Sequence, residues 1–522
     1  MTAEYQQEYT YPDAADWENR LRICEFDSSP LGDLRRSARA RLVEAAQQFV
    51  SGLTTIAEDA DLNLSLGDSI TLLSGDPEQL PLIMTGHQPV IFHPGLSYKY
   101  ALTEAFAARH NAIGIAVVID TDYGDAGQFS FPAQIGPNSV VRQLETLSHG
   151  EEIFQFSSMK KAAEIQELLN SVAGQLTRVG QHGAARRLSE VAPGFESLAS
   201  ARARMLHANL IMRRGYDSGQ RLLEIPFSTV ASLPESVRLT ADILKQPLRF
   251  ANAYNSALQI FRAEHGIRNA ANPFPDLKVS QNECELPFWV ISNQLGKRSI
   301  LKASVDGSVT RLVADDRILD TFIGNITAES MEPMLVQNIQ VVPRGGLITA
   351  FLRLLFADVF VHGSGGGRYD RFTDEFIRSW WNVEPPSFTI ATASRYLFAE
   401  ERKDLRRLLE IEDSLRDLRF NPQRHIGTGV FSEELEQTLK VLLQRKESAL
   451  SELNRAHAEE RSGKETGMQI QQITGEIRDA VSAEFEEQLA TLNNMTPEHR
   501  DALECRTWPW FLYERQSVEW TS

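Results

Sequence analysis

The sequence predicts an α/β protein with a parallel β-sheet core, a helical insertion and a C-terminal helical hairpin or coiled coil. Strand, helix and strand patterns follow one another between residues 82 and 119. The second of these strands, from Ile113 to Ile119, is apolar on both faces and rich in β-branched residues, as in buried parallel strands. After residue 396 the chain forms long charged helices with a single apolar stripe, which must pack on one another or on a second subunit.

Composition limits the classes of partner. The chain has 522 residues, enough for two or three structural units, and 53 basic against 70 acidic residues give a net charge of −17. Such a surface repels phosphate backbones, so a nucleic-acid partner is not expected. Three features predict a cytoplasmic protein without a membrane partner. The number of cysteines is odd (Cys24, Cys284 and Cys505), no signal-peptide pattern is present, and no apolar run reaches 18 residues.

Changes of pattern divide the chain into four regions. The N-terminal region is predicted to be a helical cover, with an amphipathic helix at 34–59, and the core has a helical insertion at about 146–220. The third region is the helical hairpin or coiled coil, which is expected to form a homodimer, and the last is an aromatic tail that returns to pack on the protein. The predicted boundaries are 1–75, 76–395, 396–500 and 501–522.

The second half of the core contains further predicted strands. Residues 285–293 and 296–304 are predicted to form two strands joined by a turn at Gly296-Lys297. A strand at 339–343, a helix at 347–356 and a strand at 357–363 then continue the alternating pattern. We expect the loops after these strands to gather where ligands bind to parallel sheets, at the carboxyl ends of the strands.

The first candidate binding segment follows the strand at 82–84. It contains Thr85, Gly86, His87, Gln88, His93 and Gly95, with Lys99 on the helix that begins after it. Two imidazoles and a lysine at a helix start offer proton transfer and neutralisation of an anion. Hydrogen-bonded loop histidines between turn-forming Gly and Pro residues are the equally weighted structural alternative. The six-residue spacing from His87 to His93 fits neither a His-x-x-His nor a zincin motif, so no metal site is predicted.

The second candidate segment comes directly after the buried strand at 113–119. Asp120, Asp122 and Asp125 lie within six residues, and they would repel one another unless solvated or paired with cations. A solvated acidic turn is one interpretation. The functional interpretation is a general base, or a group that holds an amine or hydroxyl of a substrate.

The third candidate segment is glycine-rich. Gly363, Gly365 and Gly366 precede Tyr369, and a helix predicted to begin near Arg371 would point its N-terminus at a ligand that the glycines allow to approach. Arg344, at another predicted strand end, adds a planar anion-binding group. In a doubly wound sheet these segments would meet in one cleft.

The order of these motifs resembles the BshC family of bacillithiol biosynthesis, whose members are assigned the addition of cysteine. Family members carry Thr-Gly-Gln-Gln, an apolar stretch and Gly-Pro-x-Tyr before a helical lysine. They continue with a strand end rich in acidic residues, an Arg-Pro strand end and a Gly-Pro-Gly-Glu loop followed by an aromatic residue. The matching positions here are Thr85-Gly86-His87-Gln88, His93-Pro94-Gly95, Tyr98-Lys99, Asp120, Asp122, Asp125, Arg344-Gly345, Gly363 to Gly366 and Tyr369.

The resemblance implies a Rossmann-like core of the nucleotidylyltransferase type and a dimerising coiled coil. It implies a ligase that joins an amino acid, such as cysteine, or a related carboxylate to the amine of a small acceptor. Thr85, Gly86, Gln88 and Lys99 would then bind an anionic or nucleotide-like group, His87 would transfer a proton, and Asp120 or Asp122 would hold or deprotonate the amine. This sequence departs from the family at His87, which replaces a glutamine, and lacks the family's histidine in the acidic cluster and the glutamate of its glycine loop.

Two other functions remain open from the residues. One is a nucleotidyltransferase that acts on a sugar or cofactor precursor, and the other is a non-catalytic dimeric binding or scaffold protein. ATP or another nucleotide is a possible cofactor, although the sequence has no Walker motif. No cysteine lies near a candidate segment, so a thiol nucleophile is not predicted.

Overall fold

The computed structural model describes residues 6–22, 26, 30–64, 79–136, 139–216, 222–269, 274–292, 296–337 and 339–514. Several predicted features therefore lie wholly or partly outside the described residues: Cys24, residues 65–75 of the predicted N-terminal cover, 217–220 of the insertion and 515–522 of the tail. No helix in these ranges is both long enough and apolar enough to cross a membrane.

The chain divides into two compact units. The first comprises residues 1–133, 143–397 and 506–522, and the second comprises 134–142 and 398–505. The second unit thus begins two residues after the predicted start at 396 and takes in residues 134–142 from the predicted core. The N-terminal region and most of the aromatic tail belong to the first unit.

The strands are β1 Gln6–Tyr11, β2 Leu82–His87, β3 Ile113–Val118, β4 Tyr123–Gly124, β5 Gln128–Gln134, β6 Val140–Thr146, β7 Glu152–Ile153, β8 Leu223–Pro226, β9 Glu283–Ser292, β10 Lys297–Asp306, β11 Val309–Ala314, β12 Arg317–Ile323, β13 Ile339–Pro343, β14 Val359–His362 and β15 Ser387–Arg395. The helices are α1 Pro30–Asp59, α2 Pro94–Arg109, α3 Ala162–Arg178, α4 His182–Ser200, α5 Met205–Tyr216, α6 Phe227–Ser232, α7 Pro234–Leu244, α8 Pro247–Glu264, α9 Ala328–Val336, α10 Gly346–Leu355, α11 Ser364–Trp381, α12 Ala399–Phe420, α13 Glu433–Ala458, α14 Lys464–Asn494 and α15 Pro497–Glu504.

The main sheet of the first unit has six strands in the order β1-β15-β14-β2-β3-β8. The five strands from β15 to β8 are parallel, whereas β1 pairs antiparallel with β15. If the five parallel strands are numbered by their order in the sequence, their order across the sheet, starting at β8, is 3-2-1-4-5. The core of the sheet is parallel, as the sequence predicts, but β1 from the predicted helical cover adds an antiparallel edge strand that the sequence does not predict.

Helices cover both faces of this sheet, which explains the continuous apolar runs of its strands. Leu82 and Met84 of β2 belong to an apolar cluster with α1, α10 and α11. Ile83 points to the opposite face and packs with Leu102 and Phe106 of α2. Alternate residues of one strand thus face different helical layers.

A second sheet has five strands in the order β12-β11-β10-β9-β13. The predicted hairpin around Gly296-Lys297 is confirmed, since β9 and β10 pair antiparallel. The predicted strand at 339–343 forms as β13, but it pairs antiparallel with β9 and not with the parallel sheet. The expectation that Arg344 follows a strand of the parallel sheet is therefore wrong, because an apolar run does not identify the strand that will pair with it.

Helices dominate the insertion and the second unit. The insertion contains α3, α4 and α5. In the second unit, α12 contributes to the same apolar core as α13 and α14, so three long helices pack together where the sequence predicted a hairpin or coiled coil. That core contains Ile411, Leu418, Phe431, Leu435, Leu439, Leu442, Ala449, Ile473, Ile477, Val481 and Phe485.

The aromatic tail packs on the first unit, as predicted. The Trp510 amide donates to the Phe92 carbonyl at 2.8 Å. The Phe511 ring lies 5.5 Å from that of Phe129. The tail therefore contacts the first candidate segment at Phe92.

Candidate functional site

The candidate site is built at the carboxyl ends of β2 and β3. His87, the last residue of β2, pairs with Val118 at the end of β3. Gly86 precedes it in a tightly packed position, where a Cβ would lie only 2.9 Å from the Val117 carbonyl oxygen. A larger residue would push the two strand ends apart, so this glycine sets the close spacing of the site.

Lys99 is a buried cation beside this strand end. It lies on α2, whose N-cap is His93: the Gly95 amide donates to His93 Nδ1 at 3.1 Å. Lys99 is 2% exposed, and its Nζ donates to the Gly86 carbonyl at 2.8 Å. Among the described residues no carboxylate lies within ion-pair distance of this ammonium group. Burial lowers the pKa of Lys99 to about 7.

Gly95 allows α2 to start close to the neighbouring strand. A Cβ at this position would lie 2.7 Å from the Ala393 carbonyl oxygen on β15. Because the start of α2 is fixed in this way, Lys99 on its second turn reaches back to the end of β2. The predicted arrangement of Gly86, His87 and Lys99 around one strand end is thus present.

Both histidines of this segment favour the neutral form. Burial, together with the smaller effect of the nearby Lys99 charge, lowers the pKa of His87 to about 3. Burial also lowers the pKa of His93 to about 4, with smaller effects from Arg506 and Lys99. His87 Nδ1 lies 3.2 Å from the Gln88 carbonyl oxygen. At neutral pH, His87 is therefore an uncharged donor or acceptor and a weak base.

Asp122 is held in a partly exposed ion pair with an arginine from the second sheet. Arg298 Nη1 lies 2.9 Å from Asp122 Oδ1, with the two side chains 21% and 32% exposed respectively. Gln88 Nε2 donates to Asp122 Oδ2 at 3.1 Å. We name His87, Gln88, Lys99, Asp122 and Arg298 the β2–β3 cluster.

Trp289 supports the arginine of this cluster. The guanidinium of Arg298 lies 4.3 Å from the centre of the Trp289 ring, and that of Arg344 lies 4.6 Å from the same ring. Arg344 therefore sits beside the β2–β3 cluster although its strand belongs to the other sheet. Burial lowers the pKa of Arg344 from its ordinary value.

Asp120 makes strong internal hydrogen bonds. It is buried, and Ser228 donates to it through both its amide and its hydroxyl group. Burial raises the pKa of Asp120 to about 6, although the bonds from Ser228 oppose the rise. Asp120 thus anchors the start of α6 beside the acidic strand end.

Three other predicted binding residues also bond within the protein. Thr85 Oγ1 donates to the Val361 carbonyl at 2.8 Å, linking β2 to β14. Asp125 accepts hydrogen bonds from the Gly127 amide and from the hydroxyl groups of Thr146 and Ser148. Tyr98 donates to Glu8 of β1. Through these hydrogen bonds the three side chains stabilise the structure around the site.

The glycine-rich segment is the first turn of a helix and not a loop. The predicted helix start near Arg371 is wrong, because α11 begins at Ser364. Close packing favours glycine here: a Cβ on Gly367 would lie 2.3 Å from Ile390 Cδ1, and one on Gly366 would lie 2.7 Å from His362 Nδ1. Gly363 and Gly365 have no such neighbour within 4 Å.

His362 ends β14 next to this helix start and belongs to a buried network. Its Nε2 lies 2.9 Å from Asp370 Oδ2, and Arg353 Nη1 lies 2.7 Å from the same oxygen. Burial acts to raise the pKa of Asp370, but the charges of Arg353 and His362 outweigh it and bring the pKa to about 2. The carboxylate is therefore ionised and fixes the orientation of the imidazole.

A series of contacts joins the predicted segments. Phe274 packs against Gly345, next to Arg344, and its ring lies 6.0 Å from that of Tyr369. Trp289 connects Arg344 to Arg298 and hence to Asp122. The structure thus joins the three candidate segments through contacts within the first unit, with the second sheet supplying the link.

Arg298, Trp289 and Ser228 do not stand out as site residues in the sequence, whereas His362 and Asp370 are the two ends of the glycine-rich segment. Asp122 and Arg298 are 176 positions apart, and no local pattern marks such a pair. His362 ends β14 and Asp370 lies on the second turn of α11, so their contact depends on how the helix packs against the strand, which no local pattern shows.

Among the described residues, no group of three or more His, Cys, Asp or Glu side chains is arranged to hold a metal ion. The chain matches no model of a known protein family, and no curated protein matches it either.

Proposed function

We propose that the chain is an enzyme of the bacillithiol-ligase type, which joins an amino acid or a related carboxylate to the amine of a small acceptor. The observation that carries this proposal is the partly exposed Asp122–Arg298 pair, which Gln88 links to the strand end where Lys99 is buried. An α-amino acid carries an ammonium and a carboxylate on one carbon. A neighbouring carboxylate and guanidinium are complementary to those two groups.

The strand order supports a Rossmann-like core of the nucleotidylyltransferase type, as the resemblance to the BshC family implies. The order 3-2-1-4-5 is that of doubly wound sheets, in which ligands bind where the strand order reverses. Here that point lies between β2 and β14, which end at His87 and His362. His87 of the β2–β3 cluster lies on the β2 side of this point.

Amide formation needs an anion-binding group and a proton acceptor. The amine nitrogen attacks the carboxyl carbon, the C–N bond forms, and one carboxyl oxygen leaves as water, or with phosphate or AMP if ATP has activated the acid. The amine also releases a proton. A proton acceptor that works at neutral pH needs a pKa near 7. The pKa of Lys99, about 7, meets this need better than the pKa of His87, about 3. In its charged form Lys99 holds the anionic substrate, and the neutral His87 completes the hydrogen bonds.

We further propose that the enzyme is a cytoplasmic homodimer through the helices of the second unit. Val441, Leu450 and Met468 of α13 and α14 are exposed apolar side chains on otherwise charged helices. The odd number of cysteines, Cys24, Cys284 and Cys505, supports a reducing compartment. Light scattering on the purified chain would measure the mass of the assembly.

The test is an assay of the purified chain with cysteine and glucosaminyl malate, and with other amino acid and amine pairs, each with and without ATP. Mass spectrometry would detect the amide product. Asp122→Asn and Arg298→Gln are each expected to lower kcat/KM by about 100-fold, as for removal of one partner of a charged contact. Arg445→Gln is the matched control, because Arg445 forms a similar partly exposed ion pair with Glu476 in the second unit.

Each result leads to a different conclusion. Absence of product, together with absence of stabilisation against heat by every substrate pair, overturns the ligase proposal. Release of pyrophosphate from ATP without an amide product favours a nucleotidyltransferase. Turnover that Asp122→Asn and Arg298→Gln leave unchanged places the reaction outside the β2–β3 cluster.

A further inference from the structure

A cavity of about 580 Å³ lies in the first unit at the edge of the main sheet. Edge strand β1, the C-terminal end of α8 and the first turns of α11 enclose it, and none of its lining residues belongs to the β2–β3 cluster. Its volume lies within the range of roughly 300–1,000 Å³ that is common for small-molecule sites. Its main lining side chains are Tyr9, Tyr11, Phe261, Arg368, Tyr369 and Arg371.

One wall of this β1–α11 cavity is aromatic. Tyr9 and Tyr11 are two residues apart on β1, so their side chains lie on the same face of the strand. Tyr9, Tyr11 and Tyr369 are 53%, 48% and 38% exposed, so three phenol rings are open to solvent around one cavity. Phe261 stacks on His265 at 4.3 Å and adds a further aromatic surface. Such rings suit a flat, unsaturated ligand.

The other wall is positively charged. Arg368 and Arg371 are three residues apart on α11, so both can face the cavity from one side of the helix. Neither guanidinium forms an ion pair with any described carboxylate, and none of the described residues that line the cavity is acidic. The chain has a net charge of −17, whereas these two arginines, which pair with no described carboxylate, make the cavity wall positively charged.

The start of α11 adds hydrogen-bond donors to this charged wall. Ser364, its first residue, lines the cavity, and the N-cap residue Gly363 supplies no side-chain acceptor to the amides of the first turn. These amides and the two arginines can serve the same anionic group.

We propose that the β1–α11 cavity binds a ligand that combines a planar aromatic ring with a phosphate, of the class of nucleoside monophosphates. The ring stacks on the tyrosines, and the phosphate lies between Arg368, Arg371 and the start of α11. Binding here needs neither the β2–β3 cluster nor ligase activity, so it is measurable independently of the proposed function.

Isothermal titration calorimetry of the full chain would test this with adenosine 5′-monophosphate, adenosine and inorganic phosphate as probes. The monophosphate is expected to bind more tightly than either part alone. The double variant Arg368→Gln/Arg371→Gln is expected to weaken binding of the monophosphate about tenfold or more. Tyr369→Ala is expected to weaken it roughly tenfold, whereas Tyr369→Phe, which keeps the ring, retains it.

The matched control is Arg178→Gln/Arg186→Gln, which removes two exposed helical arginines of the insertion and is expected to leave binding unchanged. The proposal is overturned if the monophosphate does not bind at millimolar concentration, or if it binds equally to the Arg368/Arg371 variant. Equal affinity for inorganic phosphate and the monophosphate would also overturn it, because the aromatic wall would then contribute nothing.

Discussion

Two buried charges at opposite ends of the main sheet, Asp358 and Lys99, are held in different ways. At the amino end, Asp358 directly precedes β14 and is fully buried. Arg35 and Arg39 of α1 lie 2.7 and 2.9 Å from its carboxylate oxygens, and the Leu82 amide donates to it at 2.8 Å. At the carboxyl end, Lys99 is almost as buried, yet among the described residues its ammonium group donates only to the Gly86 carbonyl.

The two buried charges differ in their effect on stability. A buried ion is tolerated when opposite charges and hydrogen bonds satisfy it, as they do around Asp358. A buried ammonium group without a carboxylate lowers stability, and such a cost is common where a site must bind an anion. Asp358 at the amino end therefore stabilises the fold, whereas the buried ammonium group of Lys99 at the carboxyl end has no opposing carboxylate among the described residues.

The largest expected effect is at the amino end. Asp358→Asn leaves two buried arginines without their counter-ion, and we expect a loss of about 3–5 kcal/mol in the free energy of unfolding. Urea denaturation followed by circular dichroism would measure it. Asp33→Asn is the control, because Asp33 forms an exposed pair with Arg36, and its loss should change stability by less than about 0.5 kcal/mol. Similar losses in the two variants would remove the distinction between the two ends.

An effect of opposite sign is expected at Lys99. The folded-state pKa of about 7 lies below the unfolded value, so Lys99 binds a proton more readily in the unfolded chain between about pH 7 and 10.5. Its penalty is therefore full below pH 7 and fades as the pH rises to 10.5. We expect Lys99→Met to raise the free energy of unfolding at pH 7 by about 1–3 kcal/mol while abolishing turnover.

The pH dependence tests the cause of this gain. The difference between Lys99→Met and the native chain should shrink when urea denaturation is repeated at pH 10. Lys278→Met, which removes an exposed lysine, is the control and should change stability little at either pH. A loss of stability in Lys99→Met at pH 7 would show that the bond to Gly86 is structural and that the charge imposes no penalty.

Local patterns predicted the parts of the fold that depend on local packing. The apolar runs of β2 and β3 and the stripe of α14 are visible because each element buries a continuous set of residues. The sequence does not predict β1, because QQEYTY is polar and lacks an apolar strand pattern. Such a segment can still form an edge strand, which pairs on one side only. β13 was predicted as a strand but assigned to the wrong sheet, since its pairing with β9 depends on residues far away in the sequence.

The same limit applies to the site. The position of Lys99 beside Gly86 and His87 follows from a strand end and the helix after it, so sequence reasoning found these residues together. Arg298 reaches Asp122 from another sheet and was missed. The residue types of Asp125 and Thr85 suit binding, so the sequence predicts them as binding groups. Their hydrogen bonds to Thr146 and Val361 become visible only in three dimensions.

The smallest expected effect concerns acid stability at the carboxyl end. His87 has a folded-state pKa of about 3, below the 6.5 of the unfolded chain, so its contribution to stability is present above pH 6.5 and is lost as the pH falls towards 3. His87→Gln should therefore reduce the loss of stability between pH 6.5 and 5 by about 1 kcal/mol, measured by urea denaturation. His182→Gln, at an exposed position at the start of α4, controls for the loss of an imidazole. If His87→Gln leaves the acid profile unchanged, water reaches this strand end freely, and the same water would solvate Lys99 and weaken the contrast with Asp358.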